Sequence, residues 1–254
     1  MPTILQILFL VSLAILPSLI WLGYYLRRDD RPEPRSRLMI SFAIGVLITL
    51  LAAFLEGALA KISPKNNILL STVIFFFAFP FIEELSKFIT TLISNIKNRY
   101  FGDEYTDPMI YSITAALGFA AAENLKVCLS ILQENSIVLK MPLLANLTIP
   151  SLVLNTLVIT IFIRFLSAVF LHANASSVYG YFWGISLILK KDRKTKFLLI
   201  AFGIIMATLL HSFYNYLIMK TSENLYFALM VIGFLFITNY IMGRGFKQLK
   251  SYQQ

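Results

Sequence analysis

Two adjacent carboxylates and a lysine, Glu83-Glu84-x-x-Lys87, stand inside an otherwise apolar run at residues 68–93. An ionised side chain at the centre of a bilayer costs at least about 2.5–3.5 kcal/mol, so such residues are kept for a function or for a partner. Glu83 and Lys87 lie one helical turn apart with the glutamate first, the better order for an ion pair. Glu84 projects about 100° away from them. A purely structural pairing of Glu83 with Lys87 would hold helices together and would leave Glu84 unexplained. Pro80, just upstream, cannot donate to the carbonyl four residues back, so a kink there would open backbone beside the carboxylates.

Three further polar sites repeat the pattern in other apolar runs. Glu123, with Asn124 beside it and Lys126 a turn on, follows Phe119 by four residues. His172 is followed by Asn174 and Ser176, and His211 lies four residues before Asn215. The two histidines are the only ones in the chain. A carboxylate held beside an imidazole, away from bulk water, suits proton abstraction from a water molecule. An imidazole with an amide one turn away can bind a metal or stabilise a developing oxyanion. Glutamate oxygen and histidine nitrogen also suit Zn2+, for which Glu83, Glu123, His172 and His211 are the candidate ligands, three of them with a water forming a catalytic pattern. The residue types do not choose between these two chemistries.

The elements that must position these groups are membrane helices. The chain is 58% hydrophobic and only 14% charged, with a mean hydropathy of +0.75. Spans of about 20 residues divide its 254 residues into an all-α bundle of seven to eight transmembrane helices forming one domain. A net charge of +9 might suggest nucleic acid, but the basic residues bracket apolar runs, which fits orientation in the membrane and not nucleic-acid binding. The lone Cys128 excludes an intrachain disulfide and a cysteine zinc cluster. The first apolar run, 4–26, is longer than a signal-peptide core and ends in a charged turn, so it reads as a span.

The remaining spans fall at about 38–60, 68–93, 109–132, 197–219 and 225–242, with Glu56 near the far end of the second and expected at the interface. Residues 142–189 are too many for one span and too few for three. Loop charge decides the number of crossings. With one crossing, at about 164–189, the five basic residues of 27–37, Lys97, Arg99, the five of 190–196, and Arg244, Lys247 and Lys250 share a side, against Lys61, Lys65, Lys140 and Lys220 opposite. Two crossings would abolish that bias, so the positive-inside rule favours one. The stretch 143–163, with Asn146, Pro150 and Asn155, is then expected to be re-entrant or interfacial. Counting at about 1.5 Å per residue from the cytoplasmic end of each span puts Glu83, Glu123, His172 and His211 between about 17 and 26 Å deep, in the outer half of the membrane. One cavity could hold all four.

Motifs that are missing narrow the class. The chain has no His-Glu-x-x-His helix, no Gly-x-Ser-x-Gly elbow and no aspartate inside a span, which disfavours zinc peptidases of that kind and serine and aspartyl intramembrane peptidases. The ordered set Glu83-Glu84-x-x-Lys87, Phe119-x-x-x-Glu123-Asn124, Arg164 to His172 running into Gly180-Tyr181-Phe182-Trp183-Gly184, and His211-Ser212-Phe213-Tyr214-Asn215 resembles the PrsW family of intramembrane proteases. That family is distantly related to the CAAX prenyl endopeptidases and Abi immunity-type membrane proteins. The loop Asp30-Arg31-Pro32-Glu33-Pro34 is similar too.

The resemblance implies a multi-pass enzyme of the prokaryotic cytoplasmic membrane, cutting a single-pass membrane substrate such as an anti-sigma factor near the outer face, in a signal-transduction role. By analogy with the CAAX enzymes, Glu83 would be the water-activating base, and His211 with Asn215 the oxyanion side; Glu84, Lys87, Glu123 and His172 complete the implied catalytic set. Glu123 stands where CAAX enzymes carry histidine, and Asn215 where many PrsW proteins carry aspartate. The same intramembrane charges would also serve a proton- or ion-coupled transporter, or a catalytically silent immunity-like protein whose polar residues only pack helices. Oligomeric state is left open by the sequence.

Overall fold

The computed structural model describes residues 4–63, 67–134, 151–189 and 192–253, apart from the side chains of residues 5 and 6. Backbone in lipid must satisfy its own hydrogen bonds, and the apolar runs accordingly form helices. These are α1 (Ile4–Leu26), α2 (Arg35–Ile62), α3 (Ile68–Val73), α4 (Phe79–Ser94), α5 (Asp107–Glu134), α6 (Ser151–Leu166), α7 (Ala168–Ile188), α8 (Arg193–Lys220) and α9 (Tyr226–Ser251). Among the described residues, seven helical stretches are long and apolar enough to cross a membrane.

α5 is the hub, packed against α1, α2, α4, α6 and α7, and α7 in turn packs on α8 and α9. Its face is built from small residues, Ser112, Thr114, Ala115, Ala116, Gly118, Ala120 and Ala121, all buried. Small side chains let membrane helices approach closely, where dispersion and backbone contacts replace the missing hydrophobic drive. At the crossing with α2, a methyl on Gly45 would run into the Ala115 carbonyl, and one on Gly118 into the Phe42 carbonyl. Leucine and phenylalanine cover the outside, with Leu50, Phe54 and Phe236 all exposed to the surroundings of the bundle.

The expected irregularity near Pro80 is present in a particular form. Residues Ile74–Ala78 make a π-helical turn between α3 and α4, and Pro80 lies in the first turn of α4. The wider turn takes up the carbonyl that proline cannot bond, and α4 resumes in register to present Glu83, Glu84 and Lys87 inward.

Two segments differ from their expected bounds. Residues 151–163 belong to a helix, α6, whose Val153, Leu157 and Ile161 pack with Cys128 and Leu132 of α5 and with Leu10 and Leu13 of α1. The chain breaks at Ser167 (φ −124°, ψ −82°) and continues in the same direction as α7. No glycine or proline marks the break in the sequence, which is why it was not legible there. The 143–150 part, with Asn146 and Pro150, lies outside the described residues. The last span is also longer than its apolar run, because α9 continues through Arg244, Lys247 and Lys250 with Phe246 and Leu249 buried.

That extension docks on the end of the bundle that carries the basic loops. Lys250 Nζ pairs with Asp30 at 2.6 Å, and Gln253 donates to the Asp103 carbonyl at 3.2 Å. In the same region Asp29 accepts the backbone N–H groups of Arg31 and Glu33. Burial and the neighbouring Glu104 hold the Asp29 carboxyl up at about 7.

Candidate active site

Lys87 is the centre of the polar cluster. Fully buried, its ammonium lies 2.8 Å from Glu84 Oε1 and 3.3 Å from Glu83 Oε2. It also stands 2.8 Å from His172 Nδ1 and 4.6 Å from the centre of the Phe119 ring. The Glu83–Lys87 pair expected from spacing therefore exists, but the shorter bond goes to Glu84. Glu84 is wholly buried and takes a second charge-assisted bond from His211 Nδ1 at 2.9 Å and one from Ser176 Oγ at 3.0 Å. A three-residue offset on a helix is as near as a four-residue one, which is how one lysine serves both carboxylates.

The partners fix the imidazole tautomers. A carboxylate can only accept and an ammonium can only donate. His172 thus accepts from Lys87 at Nδ1 and donates from Nε2 to Glu123 Oε2 at 2.8 Å. His211 donates from Nδ1 to Glu84, which leaves the Nε2 lone pair facing Glu83 Oε2 at 3.8 Å. The two rings meet edge to face with centroids 5.3 Å apart.

Glu123 is steadied from the other side by Arg164, whose Nη2 lies 3.3 Å away. Arg164 Nε donates to Asn124 Oδ1 at 2.6 Å, and Asn124 Nδ2 donates to the Ala14 carbonyl at 3.1 Å. Six helices, α1, α4, α5, α7 and α8, with α6 supplying the arginine, thus meet at one cluster. Glu83 and Glu123 keep part of their side chains accessible, whereas Glu84 and Lys87 have none.

Ligand atoms of Glu83, His172 and His211 all lie within 4.8 Å of one another. This donor set fits a zinc-like ion: each imidazole has its N–H held by a carboxylate, Glu123 for His172 and Glu84 for His211, the usual outer support of a metal-bound histidine. Lys87 and an ion would compete for His172 Nδ1. Glu123, expected among the ligands, falls outside the set because its oxygen is turned to the His172 N–H and to Arg164.

Other expectations change as well. Asn215 is half-buried, and its side chain makes no hydrogen bond among the described residues. Lys126 is exposed and outside the cluster. Asn174 is structural, since it accepts from Tyr25 Oη at 3.0 Å. Glu56 is half-buried and turns one oxygen inward: its Oε1 is buried without a hydrogen-bond partner among the described residues. Arg164 was legible only as an interruption. Its signal is the cost of an arginine in an apolar run, which demands a carboxylate on another helix.

Comparison with known proteins shows the family. The PrsW family intramembrane metalloprotease description matches residues 33–241. The chain is 24% identical over 227 residues to Protease PrsW of Bacillus subtilis (strain 168), covering 89% of this chain and 90% of that protein. It is 33% identical over 118 residues to Protease PrsW of Clostridioides difficile (strain 630), covering 46% of this chain and 49% of that protein. No solved structure matches. With the family match running from the loop before α2 into α9 and so enclosing every residue of the polar cluster, the chain belongs to the PrsW family of intramembrane proteases, as a multi-pass peptidase of the prokaryotic membrane.

Proposed function

We propose that the chain hydrolyses a peptide bond of a single-pass membrane protein, of the anti-sigma-factor kind, near the outer face of the membrane, with Glu83 as the base. The observation that carries this reading is the convergence of Glu83, His172 and His211 within 4.8 Å, with Glu83 still partly accessible. Glu83 accepts a proton from water as the water oxygen bonds to the scissile carbonyl carbon. The same carboxyl then returns the proton to the leaving nitrogen as the C–N bond breaks.

Glu84 supports this chemistry by orienting His211 with Nε2 toward Glu83 and its water, and Glu123 orients His172 through Nε2, leaving Nδ1 to Lys87. Lys87 and Arg164 balance the three carboxylates and stabilise negative charge as it develops on the carbonyl oxygen. Were Zn2+ held by Glu83, His172 and His211, the ion would supply the activation of the water and the polarisation of the carbonyl, and Glu83 would then be a ligand in place of the base.

Co-expression with a tagged single-pass substrate tests the base: Glu83→Ala and Glu84→Ala are each expected to abolish the product band. Normal cleavage in both variants would remove Glu83 from the role. Metal analysis of purified protein tests the ion: about one zinc per chain, lost in the His172→Ala/His211→Ala variant, with cleavage stopped by a chelator. Chelator-resistant cleavage by metal-free protein would leave the glutamate mechanism without the ion.

A further inference from the structure

A second acidic cluster lies at the opposite, cytoplasmic end of the bundle, between the α1–α2 loop and the start of α5. Glu33, Asp103 and Asp107 each place a carboxylate oxygen within 4.8 Å of the others. Glu33 and Asp107 are buried and Asp103 is exposed. Three like charges so close need neutralising. Yet among the described residues no lysine or arginine forms an ion pair with any of the three; Arg31, the nearest basic residue in the loop, pairs instead with Glu104 at 3.4 Å.

Asp107 carries the decisive detail. Its Oδ2 accepts the backbone N–H groups of Gly102 at 2.8 Å and Glu104 at 3.0 Å. Its Oδ1, on a residue with no exposed surface, has no hydrogen-bond partner among the described residues. A buried carboxylate oxygen left without a donor is costly unless a cation sits on it or the carboxyl takes up a proton. Glu33 is held in place by Tyr111, whose hydroxyl donates to Oε2 at 2.6 Å, and Asn98 Nδ2 supports that hydroxyl at 2.9 Å.

We propose that Glu33, Asp103 and Asp107 bind a hard divalent cation of the Mg2+ or Ca2+ class at the cytoplasmic end of the bundle. Oxygens on one such ion, at about 2.0–2.6 Å each, stand no more than about 5 Å apart, so the observed spacing needs no backbone movement. The all-oxygen donor set selects these ions over zinc. A cavity of about 280 Å³ lined by Arg31, Glu33, Tyr100 and Asp103 gives access from the aqueous side and room for water ligands. The ion ties the loop that opens α2 to the residue that opens α5, the helix that carries Glu123. This site is separate from the intramembrane cluster and does not rest on the proteolytic reading.

Full-length protein in nanodiscs, stripped with a chelator and titrated with Mn2+, tests the proposal through the free-Mn2+ electron paramagnetic resonance signal. One equivalent is expected to bind, to be displaced by Mg2+ or Ca2+, and to persist in the His172→Ala/His211→Ala variant. Asp103→Asn, at an exposed position that spares the fold, and Glu33→Gln are each expected to weaken binding about tenfold or more. An Mn2+ isotherm that is the same in wild type and Asp103→Asn would overturn the proposal. So would binding lost only in the double-histidine variant, or no Mn2+ bound at millimolar concentration, which would leave protons to neutralise the cluster.

Discussion

Lys87 shows how much a single buried charge decides here. Replacing it with methionine leaves Glu84, with no exposed surface, facing His211 and Ser176 without its ammonium. Removing one partner of a buried pair costs about 3–5 kcal/mol, so Lys87→Met is expected to lower resistance to denaturation in mixed micelles by that order. The double variant Lys87→Met/Glu84→Gln is expected to recover part of the loss, since Glu84 no longer carries a charge while Glu83 still lacks its ammonium. Additive losses in that cycle would mean that the two side chains do not interact. The carboxylates and imidazoles were legible in the sequence because each interrupts an apolar run. Their partners were not: whether Arg164 reaches Glu123, or Glu56 turns an oxygen inward, depends on how helices about forty and seventy residues apart are rotated. No local periodicity encodes that rotation.

Helices were easier to read than their joints. The runs at 4–26, 38–60 and 109–132 become α1, α2 and α5 with small changes at the ends, because length and hydropathy fix a span. The Ser167 break and the continuation of α9 past its apolar run were hidden, because both are decided by tertiary packing and not by composition. The α2–α5 crossing gives the sharpest test at this scale. With Gly45 and Gly118 each against a carbonyl of the opposite helix, Gly118→Ala must push the backbones apart, at a cost of about 1–3 kcal/mol for overpacking. The shift also moves α5, so a lower melting temperature is expected together with weaker cleavage. Gly57→Ala, where nothing lies within 4 Å of the added methyl, is expected to leave both unchanged. Equal melting temperatures for Gly118→Ala and wild type would argue against the close crossing.

For the whole molecule, charge asymmetry and the position of the cluster describe one orientation. The basic loops, the acidic cluster and the end of α9 share one end of the bundle, which the positive-inside rule assigns to the cytoplasm, and the intramembrane polar cluster is expected toward the other. Cys128, the lone cysteine, is buried, so single cysteines placed elsewhere report topology without a background. Cysteine at Asp30 or Lys97 is expected to resist a membrane-impermeant maleimide in intact cells and to react after permeabilisation, and cysteine at Glu223 to react in both. The reverse pattern would invert the bundle and put the cluster nearer the cytoplasm.

The broken joint at Ser167 couples movement to charge. Arg164 rides on α6, while the groups it grips, Glu123 and Asn124, ride on α5. If α6 swings outward about that joint, the sidewall parts and the arginine leaves with it. Lateral entry of a guest helix and the unmasking of negative potential beside His172 would then be a single mechanical event.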